Sequence, residues 1–247
     1  MRQDLHTHTT FSDGQNTPEE MVRAALEMGL ERIGFSDHSP TFFDESYCIK
    51  DENAYKECIS ALKEKYKGQI DILLGIEQDY YSNAPTQDYD YVIGSVHYLK
   101  LGQEYLPVDE TPALLVRAAR EYFDGDVYAL AECYFETVEK VVCRTGCDII
   151  GHIDLIAKFQ GQTPLFDTEH PRYTAAWHRA AEACLATGKL FEINTSPLYR
   201  GALTHPYPAP PILDYLYKNG AKFILSGDSH NTKMLGFAFD KYQKYIK

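Results

Sequence analysis

Two histidines separated by one residue, His6 and His8, stand near the start of the chain in the stretch DLHTHTTFSDG. Side chains of an extended strand alternate between two faces, so both imidazoles lie on the same face. Two neutral imidazoles side by side, followed by Asp13, can begin a metal site. The pair is only suggestive by itself, because surface histidines also pair by chance.

Histidines and acidic residues also stand at the ends of several later apolar runs. In chain order these run ends carry His38, Glu77, His97, His152, Asp228 and His230. For any one of them, a hydrogen-bonded structural role is the simpler interpretation. Together with His6 and His8, this set nevertheless contains six of the nine histidines, which favours one shared site. We interpret the others, His170, His178 and His205, as structural.

A shared site requires a scaffold that brings these run ends together. The apolar runs predict a first strand through the His-x-His pair, then strands over 32–36, 70–76, 91–96, 148–151, 190–194 and 223–226. Amphipathic stretches predict helices over 17–29, 52–66, 112–123, 129–145, 172–187, a segment ending at 219–220, and 234–245. An open sheet would spread the strand ends across about 30 Å, whereas a parallel α/β barrel converges them on one face. A closed or nearly closed barrel is therefore the better prediction.

Composition limits the class of protein. The 247 residues are 44% hydrophobic, enough for a sizeable core, and we expect a single domain over 1–247. Lys and Arg number 24 against 36 Asp and Glu, and the net charge of -12 disfavours nucleic acid or an anionic membrane as the main partner. The N-terminus has no apolar signal region, and no apolar run approaches the roughly 20 residues of a membrane span. The six cysteines lack the spacing of a zinc ribbon. We expect a cytoplasmic protein with reduced, mostly buried thiols.

The candidate ligands indicate hydrolysis. Nine nitrogen and oxygen ligands are too many for one ion, and mixed imidazole–carboxylate sites without thiolate suit zinc, iron or manganese. A carboxylate such as Glu77 can bridge two metals, and a water between them becomes a nucleophile near neutral pH. The sequence contains no recognisable serine or cysteine nucleophile motif and no Gly-rich phosphate loop. Asp154, two residues after His152, could orient a ligand or donate a proton to a leaving group, and a structural role is equally compatible.

The ordered motifs HTHTTFSDG, SDHSP, GIEQDYY, GSVHYL, GHIDLIAKF, EINTSPLYRG and SGDSH resemble the PHP (polymerase and histidinol phosphatase) superfamily over nearly the whole chain. Among its branches, the sequence is most similar to the histidinol-phosphate phosphatases. The resemblance implies a distorted (β/α)7 barrel with three divalent metal ions. It further implies hydrolysis of L-histidinol phosphate, a small phosphorylated substrate, in histidine biosynthesis.

The same resemblance implies how the ligands divide. One metal would be bound by His6, His8, Glu77 and Asp228, a second by Glu77, His97 and His152, and a third by Asp13, His38 and His230. Glu77, Asp154 and Arg200 are then the candidate catalytic residues.

Two cations are candidates for binding the phosphate of the substrate. Arg200 follows the sixth strand, and a guanidinium can bind two phosphate oxygens at once. Lys158 could add a second positive contact. Either residue could instead be a solvated surface cation, and this alternative is stronger for Lys158 than for Arg200. The segment 98–109 and Ala157 depart from the pattern of the better-known members, and both could line the substrate pocket.

Two alternatives remain open at this point. A PHP phosphoesterase acting on another small phosphomonoester or a nucleotide would share every metal ligand. A non-catalytic, metal-stabilised accessory module, like the PHP domains attached to polymerases, would keep the fold without turnover. The sequence identifies neither the native metal nor the oligomeric state.

Overall fold

A computed structural model describes residues 2–246 of the chain. Its strands are β1 (Gln3–Asp4), β2 (Arg32–Phe35), β3 (Asp71–Asp79), β4 (Tyr91–Ser95), β5 (Tyr98–Leu101), β6 (Glu104–Pro107), β7 (Ile149–Ile150), β8 (Leu190–Asn194) and β9 (Lys222–Ser226). Seven parallel strands form one sheet in the order β1-β2-β3-β4-β7-β8-β9, and β5 and β6 form a separate antiparallel hairpin.

The first and last strands of this sheet approach each other and nearly close it into a barrel. Thr7 and Ser229 form a parallel bridge, in which the backbone N–H of His8 donates to the carbonyl of Ser229 at 2.9 Å. The buried carboxylate of Asp4 accepts a hydrogen bond from the backbone N–H of Gly227 at 3.0 Å. The predicted α/β barrel with seven parallel strands is thus confirmed.

Helices connect the strands around the outside. They are α1 (Pro18–Glu27), α2 (Glu52–Lys65), α3 (Pro112–Tyr122), α4 (Val127–Val138), α5 (Val141–Thr145), α6 (Pro171–Leu185), α7 (Ser196–Arg200), α8 (Pro210–Lys218) and α9 (Phe239–Tyr242). Within residues 2–246, no helix is long and apolar enough to cross a membrane. The single domain over 1–247 stays a prediction, and Met1 and Lys247 lie outside the described residues.

Local sequence signals account for several helix ends. The side chain of Thr17 accepts from the backbone N–H of Glu20, whose side chain in turn accepts from the backbone N–H of Thr17. This capping box satisfies N–H groups that the first turn leaves without a partner. The predicted start of α1 is confirmed.

Some helix and loop predictions were wrong. The helix predicted over 129–145 is two helices, α4 and α5, interrupted at Glu139 and Lys140. The helix predicted over 234–245 is reduced to α9 and a short 3-10 turn, because Gly236 and Ala238 adopt positive φ angles of 61° and 58°. The predicted loop after β8 forms the short helix α7, and the β5–β6 hairpin was not predicted.

Tyr91 fills the interior of the barrel. Its hydroxyl donates to the carbonyl oxygen of Leu5 at 2.5 Å. A Cβ atom placed on Gly34 or on Gly75 would collide with the Tyr91 side chain. Glycine at these two strand positions therefore makes room for the tyrosine, which joins a small inner apolar cluster below the carboxyl ends of the strands.

All six cysteines are unpaired, as expected. Cys48, Cys147 and Cys184 are buried, whereas Cys143 is exposed. The thiols are thus less uniformly buried than predicted.

Candidate metal centre

Glu77, near the carboxyl end of β3, lies at the middle of the cluster of candidate ligands and is 1% exposed. Its Oε2 atom faces three imidazoles. The distances are 3.2 Å to Nε2 of His6, 3.5 Å to Nε2 of His8 and 3.0 Å to Nδ1 of His38. This carboxylate oxygen is therefore shared between the His-x-His pair and the end of the second strand. The pair follows the first strand, which ends at Asp4 and does not extend through the pair as predicted.

The other oxygen of Glu77 faces the opposite side of the cluster. Oε1 lies 3.3 Å from Nε2 of His97 and 3.0 Å from Nε2 of His152, and it accepts a hydrogen bond from Ser95 at 2.6 Å. One carboxylate thus spans two groups of histidines that come from different strand ends.

Asp13 and Asp228 place two more carboxylates beside the histidines. Asp13 lies 3.2 Å from Nε2 of His230 and 3.7 Å from ring nitrogens of both His8 and His38. Asp228 lies 3.2 Å from Nε2 of His8 and 3.4 Å from Nδ1 of His230. All nine ligands predicted from the sequence therefore lie within one cluster at the carboxyl ends of the strands.

Three groups within the cluster have ligand atoms within 4.8 Å of one another. They are His6, His8 and Asp228; His38, Glu77 and His97; and His8, Asp13, His38 and His230. The first is three of the four ligands expected for one metal, and the last contains the expected third set. The middle group has His38 where the expected set has His152, whose ring lies on the Oε1 side of Glu77.

Six buried atoms of the candidate ligands lack hydrogen-bond partners among residues 2–246. They are Nε2 of His6, both ring nitrogens of His8, Oε2 of Glu77, and Nδ1 of His97 and of His152. An unpaired buried polar atom costs about 1–3 kcal/mol, so native proteins rarely leave so many together. Divalent cations would satisfy those that face the middle of the cluster, such as Nε2 of His6 and Oε2 of Glu77, and the imidazole and carboxylate donors fit zinc, iron or manganese.

The protonation of the cluster is set by opposing effects. Burial lowers the pKa of His97, but Glu77, Asp79 and Asp109 together outweigh burial and raise that pKa well above its ordinary value. Burial, together with the neighbouring His230 and His38, lowers the pKa of His8 to about 3. Burial would raise the pKa of Glu77, yet His6 and His97 hold it well below the usual range. The carboxylate is thus charged and His8 neutral near pH 7, the forms in which both bind metals.

A cavity of about 550 Å³ opens over the cluster, within the range of about 300–1,000 Å³ that small-molecule sites occupy. Arg200, at the end of α7, lines it, with Nη2 3.0 Å from Nδ1 of His230. Its predicted role in binding phosphate stays a prediction. Its guanidinium lies at the edge of the candidate metal centre.

Lys158 also lines the cavity, but it is paired. Its Nζ donates to Oδ2 of Asp109 at 2.9 Å. Asp109 follows the β5–β6 hairpin, and the backbone N–H of Val108 donates to the carbonyl of His97 at 2.8 Å. The segment singled out in the sequence as a departure therefore carries a carboxylate into the cavity.

Asp154 lies deeper than its predicted role as a proton donor suggests. It is fully buried, it does not line the described cavity, and it accepts from the backbone N–H of Ala209 at 2.8 Å. Burial raises its pKa to about 6. Its role in proton transfer stays a prediction.

Sequence reasoning missed Glu192, in β8. This buried carboxylate contacts both His6 and His152. The available signal was a charged residue inside the apolar run Leu190–Asn194, since glutamate is seldom fully buried without a function or a partner.

The family model of the PHP domain matches residues 4–196. The chain belongs to the PHP domain family. A protein of Deinococcus radiodurans named "Probable histidinol-phosphatase" is 31% identical, over 99% of this chain and 92% of that protein. The histidinol-phosphatase of Bacillus subtilis is 27% identical, over 98% of each chain.

A solved PHP structure has the same fold. It is the histidinol phosphate phosphatase of Lactococcus lactis, complexed with zinc, L-histidinol and phosphate. Its TM-score to this chain is 0.77 at 23% identity, and the match covers 99% of this chain and 92% of that one.

Proposed function

We propose that this protein is a metal-dependent phosphatase that hydrolyses L-histidinol phosphate to L-histidinol and phosphate in the cytoplasm, as a step of histidine biosynthesis. The observation that carries the proposal is the cluster of eight other candidate ligands around Glu77, whose two oxygens face different histidines. The PHP family and the names of relatives matched along nearly their whole length support the same reaction.

Three divalent ions, zinc, iron or manganese, would be held here. Our assignment keeps the three sets expected from the family: His6, His8, Glu77 and Asp228; Glu77, His97 and His152; and Asp13, His38 and His230. Such ions supply positive charge that polarises a phosphoryl group and acidifies bound water. The two oxygens of Glu77 face different histidines, which supports two ions sharing this carboxylate.

Arg200 is the cation that we place on the phosphate. It lines the cavity beside His230, and it is exposed, so its remaining N–H donors are free to meet an anion. A guanidinium binds two phosphate oxygens in parallel, which orients the phosphorus as well as neutralising charge. Lys158 contributes less to phosphate binding in our proposal, because Asp109 already accepts from its ammonium group.

The cavity wall offers a reason for choosing histidinol phosphate among phosphomonoesters. Asp44, Asp109 and Glu110 line it together with Tyr47 and Tyr98. L-Histidinol phosphate carries an ammonium group on the carbon next to its phosphorylated CH₂ group, and an imidazole at the end remote from the phosphate. Carboxylates attract the ammonium group, and tyrosine faces accept flat rings. The wall is therefore complementary to the cationic and aromatic groups of this substrate.

The test is phosphate release from L-histidinol phosphate beside p-nitrophenyl phosphate and several nucleotides. Protein stripped with chelator and dialysed is assayed alone and after adding Zn²⁺ or Mn²⁺. We expect metal-dependent turnover with kcat/KM for L-histidinol phosphate at least a hundredfold above the other substrates. Metal-dependent turnover without this preference would keep the phosphatase and reject the substrate, and inactivity with every metal would favour an accessory module.

A further inference from the structure

Glu192 uses all the acceptor sites of its carboxylate inside the barrel, and its side chain is fully buried. Oε1 accepts from Nδ1 of His6 and from the hydroxyl of Ser226, both at 2.5 Å. Oε2 accepts from the backbone N–H of His152 at 2.8 Å and from Nδ2 of Asn194 at 3.2 Å. A carboxylate has about four lone-pair sites, so this one is saturated.

The contact to His6 fixes how that ring is protonated. An ionised carboxylate only accepts hydrogen bonds, so Nδ1 of His6 must carry the hydrogen. In the neutral ring that binds a metal, the lone pair is then on Nε2, which points to Glu77 and Asp228 at 3.2 and 3.8 Å and has no hydrogen-bond partner within residues 2–246. A partner on one ring nitrogen sets the tautomer and orientation of the metal-binding nitrogen.

The same carboxylate connects ligands that come from different strands. It holds the backbone of His152, after β7, through Oε2. Asn194 donates to Glu192 and also to Oδ2 of Asp228, at 3.3 Å. Three candidate ligands, His6, His152 and Asp228, are therefore tied to one side chain.

We propose that Glu192 is a positioning residue of the metal centre, which sets metal affinity by holding His6 in its Nδ1–H tautomer and His152 at its place on the strand end. This inference rests on the proposed metal-dependent function. It assigns no contact between Glu192 and substrate.

The test compares Glu192→Gln and Glu192→Ala with Asp37→Asn. Glutamine has the same shape, but its one amide oxygen cannot accept both from His6 and from the backbone of His152. Asp37 is a matched control, since it is equally buried and accepts from Thr9 and Ser12 rather than from an imidazole. Each protein is reconstituted with zinc, and metal content is measured by mass spectrometry and affinity by chelator competition.

We expect both Glu192 variants to bind zinc about 10- to 100-fold more weakly, the usual effect of losing such a partner. Nitrogen NMR of the histidine rings should show His6 in the Nδ1–H tautomer in the zinc-loaded parent and in Asp37→Asn, and altered populations in Glu192→Ala. All three substitutions should lower Tm without metal, but only those at Glu192 should reduce the rise in Tm on adding zinc.

The outcomes separate this inference from the proposed function. A parent protein that binds no metal would overturn both. If the parent binds zinc and Glu192→Gln retains its affinity within threefold with an unchanged His6 tautomer, only the positioning role fails. Should Glu192→Ala not fold, Glu192→Gln alone decides.

Discussion

The ammonium group of Lys158 lies 2.9 Å from the carboxylate of Asp109, and both line the cavity that also contains Arg200. The two cations of this cavity therefore differ in what they offer an anion. Lys158 is partly neutralised by Asp109, which is 28% exposed. Arg200 keeps free donors next to His230.

Arg200→Ala should lower kcat/KM for L-histidinol phosphate about 10- to 100-fold, because a hydrogen bond to a charged group contributes about 1.5–3 kcal/mol. Steady-state kinetics measure this effect. Arg120→Ala, an exposed arginine on α3 that pairs with Glu121, is the matched control and should change nothing. Activity within threefold of the parent would show that Arg200 does not bind the phosphate.

Asp109→Asn should raise KM for L-histidinol phosphate about tenfold, because it removes one charge from the wall that faces the ammonium group. The same substitution frees Lys158 and should leave p-nitrophenyl phosphate hydrolysis unchanged or slightly faster. Kinetics with both substrates provide the comparison. An equal loss with both would mean that Asp109 supports the fold of the site rather than substrate choice.

Lys158→Gln should reduce kcat/KM by less than threefold, since the ammonium group already has a carboxylate partner. Comparison with Arg200→Ala in the same assay tests the difference between the cations. A loss as large as that of Arg200→Ala would show that Lys158 leaves Asp109 to bind phosphate.

Chelation of the metals should abolish activity and lower Tm, because ions that bind only the folded state stabilise it. One site at a hundred times its Kd contributes about 2.7 kcal/mol, or about 5–10 °C for a chain of this size. Thermal unfolding with chelator, and after dialysis with added Zn²⁺ or Mn²⁺, measures the shift. An unchanged Tm would contradict a metal centre built from the nine ligands.

Gly75→Ala should destabilise the fold by about 1–3 kcal/mol, the usual effect of overfilling a packed interior. The new methyl group would collide with the ring of Tyr91. The control is the same substitution in a Tyr91→Leu background, where the cost should fall because the ring is gone. Urea unfolding of the four proteins checks this, and equal costs in both backgrounds would refute the steric explanation.

Local and periodic features of the chain were readable from its sequence. The His-x-His spacing predicted that His6 and His8 share one side, and both face Oε2 of Glu77, although β1 itself ends at Asp4. The spacing of Thr17, Pro18 and Glu20 located the start of α1. Strand β8 has the predicted bounds. These features depend on neighbours within a few residues, which a single sequence contains.

Features that depend on distant segments were not readable. Nothing near Glu192 in the sequence indicates that His6 and His152 will donate to it, and nothing near Asp109 indicates that it will pair with Lys158.

Two local predictions also failed. The β5–β6 hairpin turns at Gly102, where φ is 61°, and a Gly between two alternating runs was a signal that could have predicted it. The helix predicted over 234–245 failed because Ala238 adopts a backbone conformation unusual for alanine.

The near-closure of the barrel has a consequence for how the protein folds. Asp4 and Gly227, whose hydrogen bond helps to close it, are 223 residues apart in sequence. Contacts between such distant segments form slowly, because most of the chain must be ordered first. His8 and Asp228 lie where the same two segments of the chain meet. Metal uptake should therefore come late in folding, and zinc binding after dilution from denaturant should follow the recovery of helical signal.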